Sequence, residues 1–404
     1  MRDPRSVDVA DVYKGDRLAG RLRRDGPQVL FTYDRAYLAD PGPPIGFNLP
    51  LRQDPYVATG GSVPPFFAGL LPEGARLVAL VERIGTSPDD MLSLLLTVGG
   101  DTIGDVRVVE EGAEPVGAPP LMSGRPEDTD FDDLFAASIG MSRDRFERSA
   151  LPGAQEKVSA SMLSVPVSSP TAPHILKLTP PRFPRLVENE YFFMGVARSC
   201  GITTADVKLV HDRNGQSGLL VTRFDRVMKR GRVIRRLAQE DGCQLCDAYP
   251  ADKYRLTALT VAEAVKHVAS SPPAAILELI KLIAFSWVIA NNDMHAKNFS
   301  VRVETDGIVA PTPAYDLLST LPYGDRTMAL EIEGRRNKLR SEDFVSFAKR
   351  TGVGERAVKR SLAQIGEATR DALDRLDTVG FDPRIECRLR DEITTRLTTI
   401  HATR

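Results

Sequence analysis

The stretch Asn291–Ser300, NNDMHAKNFS, follows the longest apolar run of the chain, AAILELIKLIAFSWVIA (Ala274–Ala290). An acid, a histidine, a lysine and several amides placed at the end of a buried element are either a helix stop or a reaction site. An acid near a helix C-terminus is electrostatically disfavoured, which weakens the first reading for Asp293. The chain around it has ordinary globular composition, with 404 residues, 42% hydrophobic and 26% charged, so folded domains are expected and disorder is not. The net charge of -1 argues against a protein that coats nucleic acid through bulk charge. The apolar run is interrupted by Glu278 and Lys281, so it reads as a buried helix rather than a membrane span. MRDPRSVDVADVYKG at the start has no apolar segment of the secretory kind, and a cytoplasmic location is expected.

Asp293 and Asn298 stand five apart, in the order D-x-x-x-x-N. Protein kinases use this spacing in their catalytic loop, where the Asp accepts the proton of the attacking hydroxyl and the Asn reaches a magnesium ion. Both must share one short loop because the hydroxyl, the γ-phosphate and the metal lie within a few ångströms of each other. Eighteen residues beyond Asn298 comes Asp316, in PAYDLLST, after the strand-turn-strand pattern FSVRVETDGIVAP. One amide and one carboxylate, Asn298 and Asp316, would then hold magnesium against the phosphates of ATP; such oxygens suit a hard cation. The spacing alone favours chance; the added Asp316 reverses that. His295 either orients the loop or contacts phosphate, or is a packed loop histidine. Lys297 either neutralises phosphate charge or is an exposed lysine.

A kinase also needs a lysine on a small-lobe strand, and PHILKLTP supplies Lys177. The helix VENEYFFMGVA follows, and Glu190, with Glu188 as its rival, is placed to pair with that lysine. ALPGAQEKVSA (Ala150–Ala160) lies where a phosphate-covering loop belongs, with Gly153 as its one glycine and Lys157 as added charge; an ordinary turn is the competing reading. Backbone groups of Thr222, Arg223 and Phe224, at the end of LLVTRFDR, stand in chain order where adenine would be held.

The remaining organisation is that of an α+β, two-lobed, protein-kinase-like fold: a small N-terminal β-rich subdomain and a large helical C-terminal lobe. Short strands are expected up to about residue 60. GTSPDDMLSLLLTVG predicts a helix with Ser87 at its N-cap and Pro88 at its first position. The Gly- and Pro-rich stretch Glu110–Asp128 marks a boundary. The segments are then 1–125, 126–236 with the ATP loop and Lys177, and 237–404 with the catalytic loop. KVSASMLSV, HILKL, ADVKLVHD, SGLLVTRFDR and RVIRRLAQ read as strands, and LVENEYFFMGVARSCG as a helix stopped at Gly201. Cys243 and Cys246 form a CxxC with no second ligand pair at nearby spacing, and two incidental thiols is the favoured reading.

LPGAQEKVSA, HILKL, ENEYFFM, VTRFDR, LAQEDGCQ, NNDMHAKNFS and AYDLLS follow one another in the order seen in HipA-like serine/threonine kinases, toxins of bacterial toxin–antitoxin systems, and the chain resembles that family. FFAGLLPEGARLVALVERIG and GGDTIGDVRV are similar to its N-terminal subdomain, so the resemblance covers most of the chain. It implies an ATP loop at Pro152, Gly153, Ala154, Gln155, Glu156 and Lys157, phosphate binding by Lys177, and an adenine hinge at Thr222, Arg223 and Phe224. It implies Asp293 as proton acceptor and His295, Ala296, Lys297, Asn298, Tyr315 and Asp316 around the nucleotide, with Asn298 and Asp316 on Mg2+. The family's autophosphorylated serine falls on Ala150, with Ser149 adjacent, so either Ser149 takes that role or the control is absent. The resemblance further implies a small HipB-type DNA-binding antitoxin as partner and a protein substrate in translation, among them an aminoacyl-tRNA synthetase. DNA contact would come through the antitoxin complex, although RVMKRGRVIRR and KRTGVGERAVKRS are basic strips and SEDFVSFAKRTGVGERAVKRSL reads like helix-turn-helix; helices of the large lobe with solvated charges is the heavier reading. Two other functions share the polar residues: a small-molecule kinase of the aminoglycoside-phosphotransferase type, and a non-catalytic ATP-binding co-repressor.

Overall fold

The computed structural model describes residues 2–116, 122, 124–139, 163–168, 172–180 and 182–400. The expected ATP loop, Pro152 to Lys157, and Ser149 lie outside the described residues. The chain opens with strands β1 (Val9–Lys14), β2 (Arg17–Asp25), β3 (Gln28–Tyr33) and β4 (Tyr56–Thr59), joined later by β5 (Val106–Glu110). They form an antiparallel sheet in the order β4-β3-β2-β1-β5. The β1–β2 hairpin closes through Gly15, whose φ of 59° suits a residue without Cβ. Alternate residues such as Ala10, Val12, Leu22, Phe31 and Val108 point into a core shared with Phe67 and Leu92.

Two helices, α1 (Gly74–Ile84) and α2 (Met91–Val98), cover this sheet's sequence neighbourhood. The start of α2 differs from expectation. Asp90, not Ser87, is its N-cap, and Ser87 Oγ instead accepts the Asp89 N–H at 3.2 Å, shaping the preceding turn. The reason is tertiary: Arg24 on β2 donates to Asp90 Oδ1 at 2.7 Å and the Thr86 hydroxyl to Oδ2 at 2.7 Å, fixing that carboxylate at the helix end.

After α3 (Phe131–Ile139) come β6 (Leu163–Ser168) and β7 (Pro173–Leu178), then α4 (Leu186–Ser199), β8 (Val207–His211) and β9 (Ser217–Thr222). The four strands are antiparallel in the order β6-β7-β9-β8. Helix α4 stops as expected at Gly201, in the left-handed region. A hairpin of β10 (Arg226–Lys229) and β11 (Arg232–Arg236) carries the first basic strip, much of it exposed.

The large lobe holds β12 (Gln239–Asp241), α5 (Ala258–Val268), α6 (Pro272–Val288), β13 (Ser300–Val303), β14 (Val309–Pro311), α7 (Ser341–Thr351), α8 (Glu355–Ala372) and α9 (Pro383–Ile400). The apolar run is α6, buried along most of its length; its two charges, Glu278 and Lys281, pair at 2.9 Å. The helix-turn-helix-like segment is α7 and α8. Helix α8 buries Val358, Leu362 and Ile365 in the lobe's core, so these are structural helices with Lys359 and Arg360 left exposed. Among the described residues no helix is long and apolar enough to cross a membrane. One apolar core runs from α4 and β9 through α5, α6, α7 and α8, which binds the two lobes into a continuous unit. The expected α+β, two-lobed architecture is therefore found.

The N-terminal sheet is fastened to this unit by polar contacts. Asp225, 2% exposed, accepts from Arg223 at 3.0 and 2.8 Å, from Arg226 at 2.7 Å and from the Gly104 N–H at 2.9 Å. Glu240 accepts the Phe47 N–H at 2.8 Å, while its other oxygen has no hydrogen-bond partner among the described residues. Burial pushes the Glu240 carboxyl up to about 7.

Two outcomes follow from these buried acids. Asp225→Asn removes the buried carboxylate that Arg223 and Arg226 share, leaving them only Asp101, and is expected to lower stability by about 3 kcal/mol; an unchanged urea midpoint would contradict the assignment. For Glu240, the folded protein keeps the proton up to about pH 7, whereas the unfolded chain releases it near 4.5. Folding takes up a proton in that window, so stability falls as pH rises through it. Glu240→Gln should therefore raise the melting temperature more at pH 8.5 than at pH 5.5, and an equal change at both values would count against it.

Candidate active site

The site is built on a buried ammonium. Lys177, on β7, faces α4, where Glu190 receives it through both carboxylate oxygens at 2.6 and 2.9 Å. The same Nζ contacts Oδ1 of Asp316, from the loop after β14. Burial alone would depress the lysine, but Asp316 and Glu190 outweigh it and hold its pKa above the ordinary value. Glu188, the rival on the helix, turns outward to Arg185 at 3.2 Å, which settles the helix face. Helix α4 also grips the Asp316 loop directly: Asn189 Nδ2 donates to the Ser319 carbonyl at 2.8 Å, and the Ser319 N–H donates back to Asn189 Oδ1 at 3.0 Å.

Asp316 has a φ of 57°, a left-handed conformation that a non-glycine residue rarely adopts and that clusters at functional sites. Its Oδ2 accepts from Asn298 Nδ2 at 3.3 Å, and its carbonyl accepts from Asn291 Nδ2 at 3.2 Å. Asn298 Oδ1 in turn accepts the His295 N–H at 3.0 Å, so the catalytic-loop amide is held at both ends. Helix α6 ends just before this loop, and Ala290 (φ 56°) turns the chain; its carbonyl accepts the Thr320 N–H at 3.0 Å.

Asp293, 2% exposed, lies behind this front. Its Oδ1 accepts the Tyr254 hydroxyl at 3.0 Å. Burial, and next the Asp293 charge, push that phenol above the ordinary tyrosine value. Tyr254 also meets the His295 ring edge-on, with centroids 5.2 Å apart. His295 is 4% exposed, and among the described residues neither ring nitrogen has a hydrogen-bond partner. Burial, then Lys253 and Lys297, hold the imidazole well below its usual pKa, so it is neutral at physiological pH.

Lys297 is neither an exposed lysine nor a free cation. It contacts Asp241 at the end of β12, and Glu73 at 3.4 Å; Glu73 also contacts Lys253. Burial opposes the charge on Lys297, but Asp241 and Glu73 raise its pKa above the ordinary lysine value. Glu73 belongs to the N-terminal subdomain, directly before α1.

These groups line a cleft of about 400 Å3, within the range of small-molecule sites. Lys177, Arg223, Phe224, His295, Lys297, Asn298, Tyr315 and Asp316 all face it. Among the described residues Thr222, Ala296 and Asp293 do not line it; Ala296 is packed in the large-lobe core. Phe224 and Tyr315 stack at 6.0 Å between centroids, and the Tyr315 hydroxyl donates to the Lys297 carbonyl at 2.7 Å. At the expected hinge the Thr222 N–H donates to the Asp206 carbonyl at 2.9 Å and the Arg223 N–H to the Pro173 carbonyl at 3.1 Å. The Arg223 side chain is committed to Asp225 and Asp101. The CxxC pair lies in the short helix Gly242–Leu245 and its cap; burial pushes Cys243 to about 12 and Cys246 to about 11, so both are protonated thiols at neutral pH.

The donor set suits a hard cation shared with phosphates. Asn298 and Asp316 offer an amide and a carboxylate side by side, and the orphaned imidazole of His295 faces the same space. Among the described residues no group of three or more His, Cys, Asp or Glu is placed to hold a metal by itself, so the missing ligands would be phosphate oxygens and water, as is usual for magnesium.

Residues that sequence reasoning did not place are Glu73, Arg76, Asp241, Lys253, Tyr254 and Asn291. Glu73, Arg76 and Lys253 lie in or near runs without a spacing motif, and only their long-range contacts give them a role.

Comparison with known proteins gives the family. Residues 149–373 match the family described as the HipA-like C-terminal domain, and residues 10–109 match the HipA N-terminal domain. The chain is 33% identical to "Putative kinase Y4mE" of Sinorhizobium fredii over 92% of both chains. It is 26% identical to the serine/threonine-protein kinase toxin HipA of Shewanella oneidensis over 90% of this chain and 88% of that one. The solved complex of Shewanella oneidensis HipA with HipB and operator DNA contains a chain of the same fold, with a TM-score of 0.75, 20% identity and 97% of both chains covered. With both domains matched in order and a relative of this identity spanning nearly its whole length, the chain belongs to the HipA-like kinase family.

Proposed function

We propose that this protein is a Mg-ATP-dependent serine/threonine protein kinase and the toxin of a type II toxin–antitoxin system. The observation that carries the reading is the junction of Lys177, Glu190 and Asp316, with Asn298 beside Asp316 and Asp293 on the same loop. Asn298 and Asp316 would hold Mg2+, which when bound would neutralise charge on the phosphates. Lys177 holds the phosphate chain in line, and His295, neutral and unpartnered, donates an N–H to a phosphate oxygen. Asp293, oriented by Tyr254, accepts the proton of the attacking hydroxyl as that oxygen bonds to the γ-phosphorus and the bond to ADP breaks. Phe224, Tyr315 and the remaining backbone groups of the hinge hold the adenine. The segment Pro152 to Lys157 covers the phosphates, and Ser149 is a candidate for self-phosphorylation.

The same reading gives the chain a HipB-type antitoxin as partner, with DNA reached through that complex; the Shewanella relative's assembly with HipB and operator DNA supports this. Its substrate is a translation protein, such as an aminoacyl-tRNA synthetase, and its compartment the cytoplasm. The segments 1–125, 126–236 and 237–404 act as N-terminal subdomain, small lobe and catalytic lobe.

Asp293→Ala should lower phosphoryl transfer by about 10²–10⁴-fold, the usual loss for a general base, with ATP binding retained. Near-normal transfer would remove Asp293 from the mechanism. Offered γ-labelled ATP and a bacterial extract, the protein should pass label to serine or threonine of a few proteins; label found only in small metabolites would favour a small-molecule kinase instead.

A further inference from the structure

The cleft is walled on one side by the N-terminal subdomain, through Leu70, Glu73, Arg76, Asp101 and Ile103. Its cations can be matched with their anions. Lys177 has Glu190 and Asp316. Arg223 has Asp101 and Asp225. Lys253 has Glu73, and Lys297 has Asp241 and Glu73. Arg76 is the exception: among the described residues no carboxylate pairs with it. Among the described residues its one hydrogen bond runs from Nη1 to the Ser164 carbonyl at 3.4 Å.

That guanidinium is partly buried; burial, then the charge of Arg83, depress its pKa from the usual arginine value, and the more distant charge of Asp101 opposes them without forming an ion pair. A buried cation without an anion is costly unless a ligand supplies one. Position says which ligand. Ser164 on β6 is the register partner of Lys177 on β7, and adjacent strands lie about 4.8 Å apart. Arg76 therefore stands one strand across from the lysine that the nucleotide reading places on the phosphates, in the same cavity. Its planar fork matches two phosphate oxygens at once.

We propose that Arg76 is a phosphate-binding residue contributed by the N-terminal subdomain, taking oxygens of the ATP phosphate chain alongside Lys177. This rests on the ATP-kinase reading above. It makes the subdomain part of the nucleotide site, so that ATP ties the subdomain to the two lobes. Arg76 lies in the first turn of α1, three residues after Glu73 at its N-cap, so the segment that anchors Lys297 and Lys253 also delivers the guanidinium.

The test is calorimetric binding of adenosine, ATP and inorganic tripolyphosphate to the full chain and to its Arg76→Gln and Arg76→Lys variants. Loss of a charge-assisted contact should weaken ATP and tripolyphosphate by about 10- to 100-fold in Arg76→Gln, with adenosine unchanged and Arg76→Lys in between. Unchanged ATP and tripolyphosphate affinity in Arg76→Gln overturns the proposal and leaves the kinase reading standing. An equal loss for adenosine also overturns it, since that is damage to the pocket. If the wild type binds tripolyphosphate through Arg76 but neither adenosine nor ATP, the anion site stands and the kinase reading falls.

Discussion

A single buried ammonium holds the active centre together. Lys177 comes from the small-lobe sheet, Glu190 from α4 and Asp316 from the large-lobe loop, and the three meet where the lobes join. Buried ion pairs add little net stability when compared with a well-packed apolar replacement, but breaking one leaves an uncompensated charge. The arrangement therefore acts mainly as a registry device. It penalises any placement of the strand, the helix or the loop that leaves one of the three unpaired. Asn189 repeats the constraint one residue earlier, with reciprocal hydrogen bonds to Ser319. Helix α4 thus sets both the lysine and the carboxylate that the proposed ATP chemistry uses.

A second charged chain runs along the other side of the cleft. Asp241, Lys297, Glu73 and Lys253 alternate in sign and connect the end of β12, the catalytic loop and the N-terminal subdomain. The catalytic loop is thereby held from three directions: by Asp316 through Asn298, by Tyr254 through Asp293, and by Glu73 through Lys297. Asp293, in its proposed role as general base, would gain from such restraint because proton transfer depends on a fixed approach. The N-terminal subdomain, which has its own apolar core, is thus a structural part of the reaction cleft and not an appendage to it.

The catalytic loop was legible because its chemistry imposes local spacing. Asp293 and Asn298 must share a loop, Asp316 must follow within a short strand-turn-strand, and Lys177 must precede a helix carrying a glutamate. Sequence left Glu188 and Glu190 open because an ambiguity of about half a turn in helix phase exchanges their faces; the contacts of Lys177 and Arg185 decide it. The strands and the Gly201 stop were legible from alternation and from a residue suited to left-handed backbone. What sequence could not give were contacts between distant segments. Asp90 caps α2 because Arg24 reaches it from β2, and nothing in TSPDD ranks it above Ser87. Glu73, Arg76 and Lys253 form no motif with Lys297 or Lys177, and more than a hundred residues separate Glu73 and Arg76 from Lys177 along the chain. Their roles arise only when the N-terminal sheet docks through Asp225 and Glu240.

The left-handed backbone at Asp316 narrows what evolution or an engineer can put there. Only glycine, asparagine and aspartate occupy that region at small steric cost. Of these, glycine removes the carboxylate outright and asparagine removes its charge. The position is thus filtered twice, once by conformational strain and once by the need for a negative charge beside Lys177, and almost no neighbour in the genetic code passes both filters. Drift at this site should be close to frozen, and a lineage that has lost its activity would tend to reveal itself by asparagine or glycine here before any bulkier replacement.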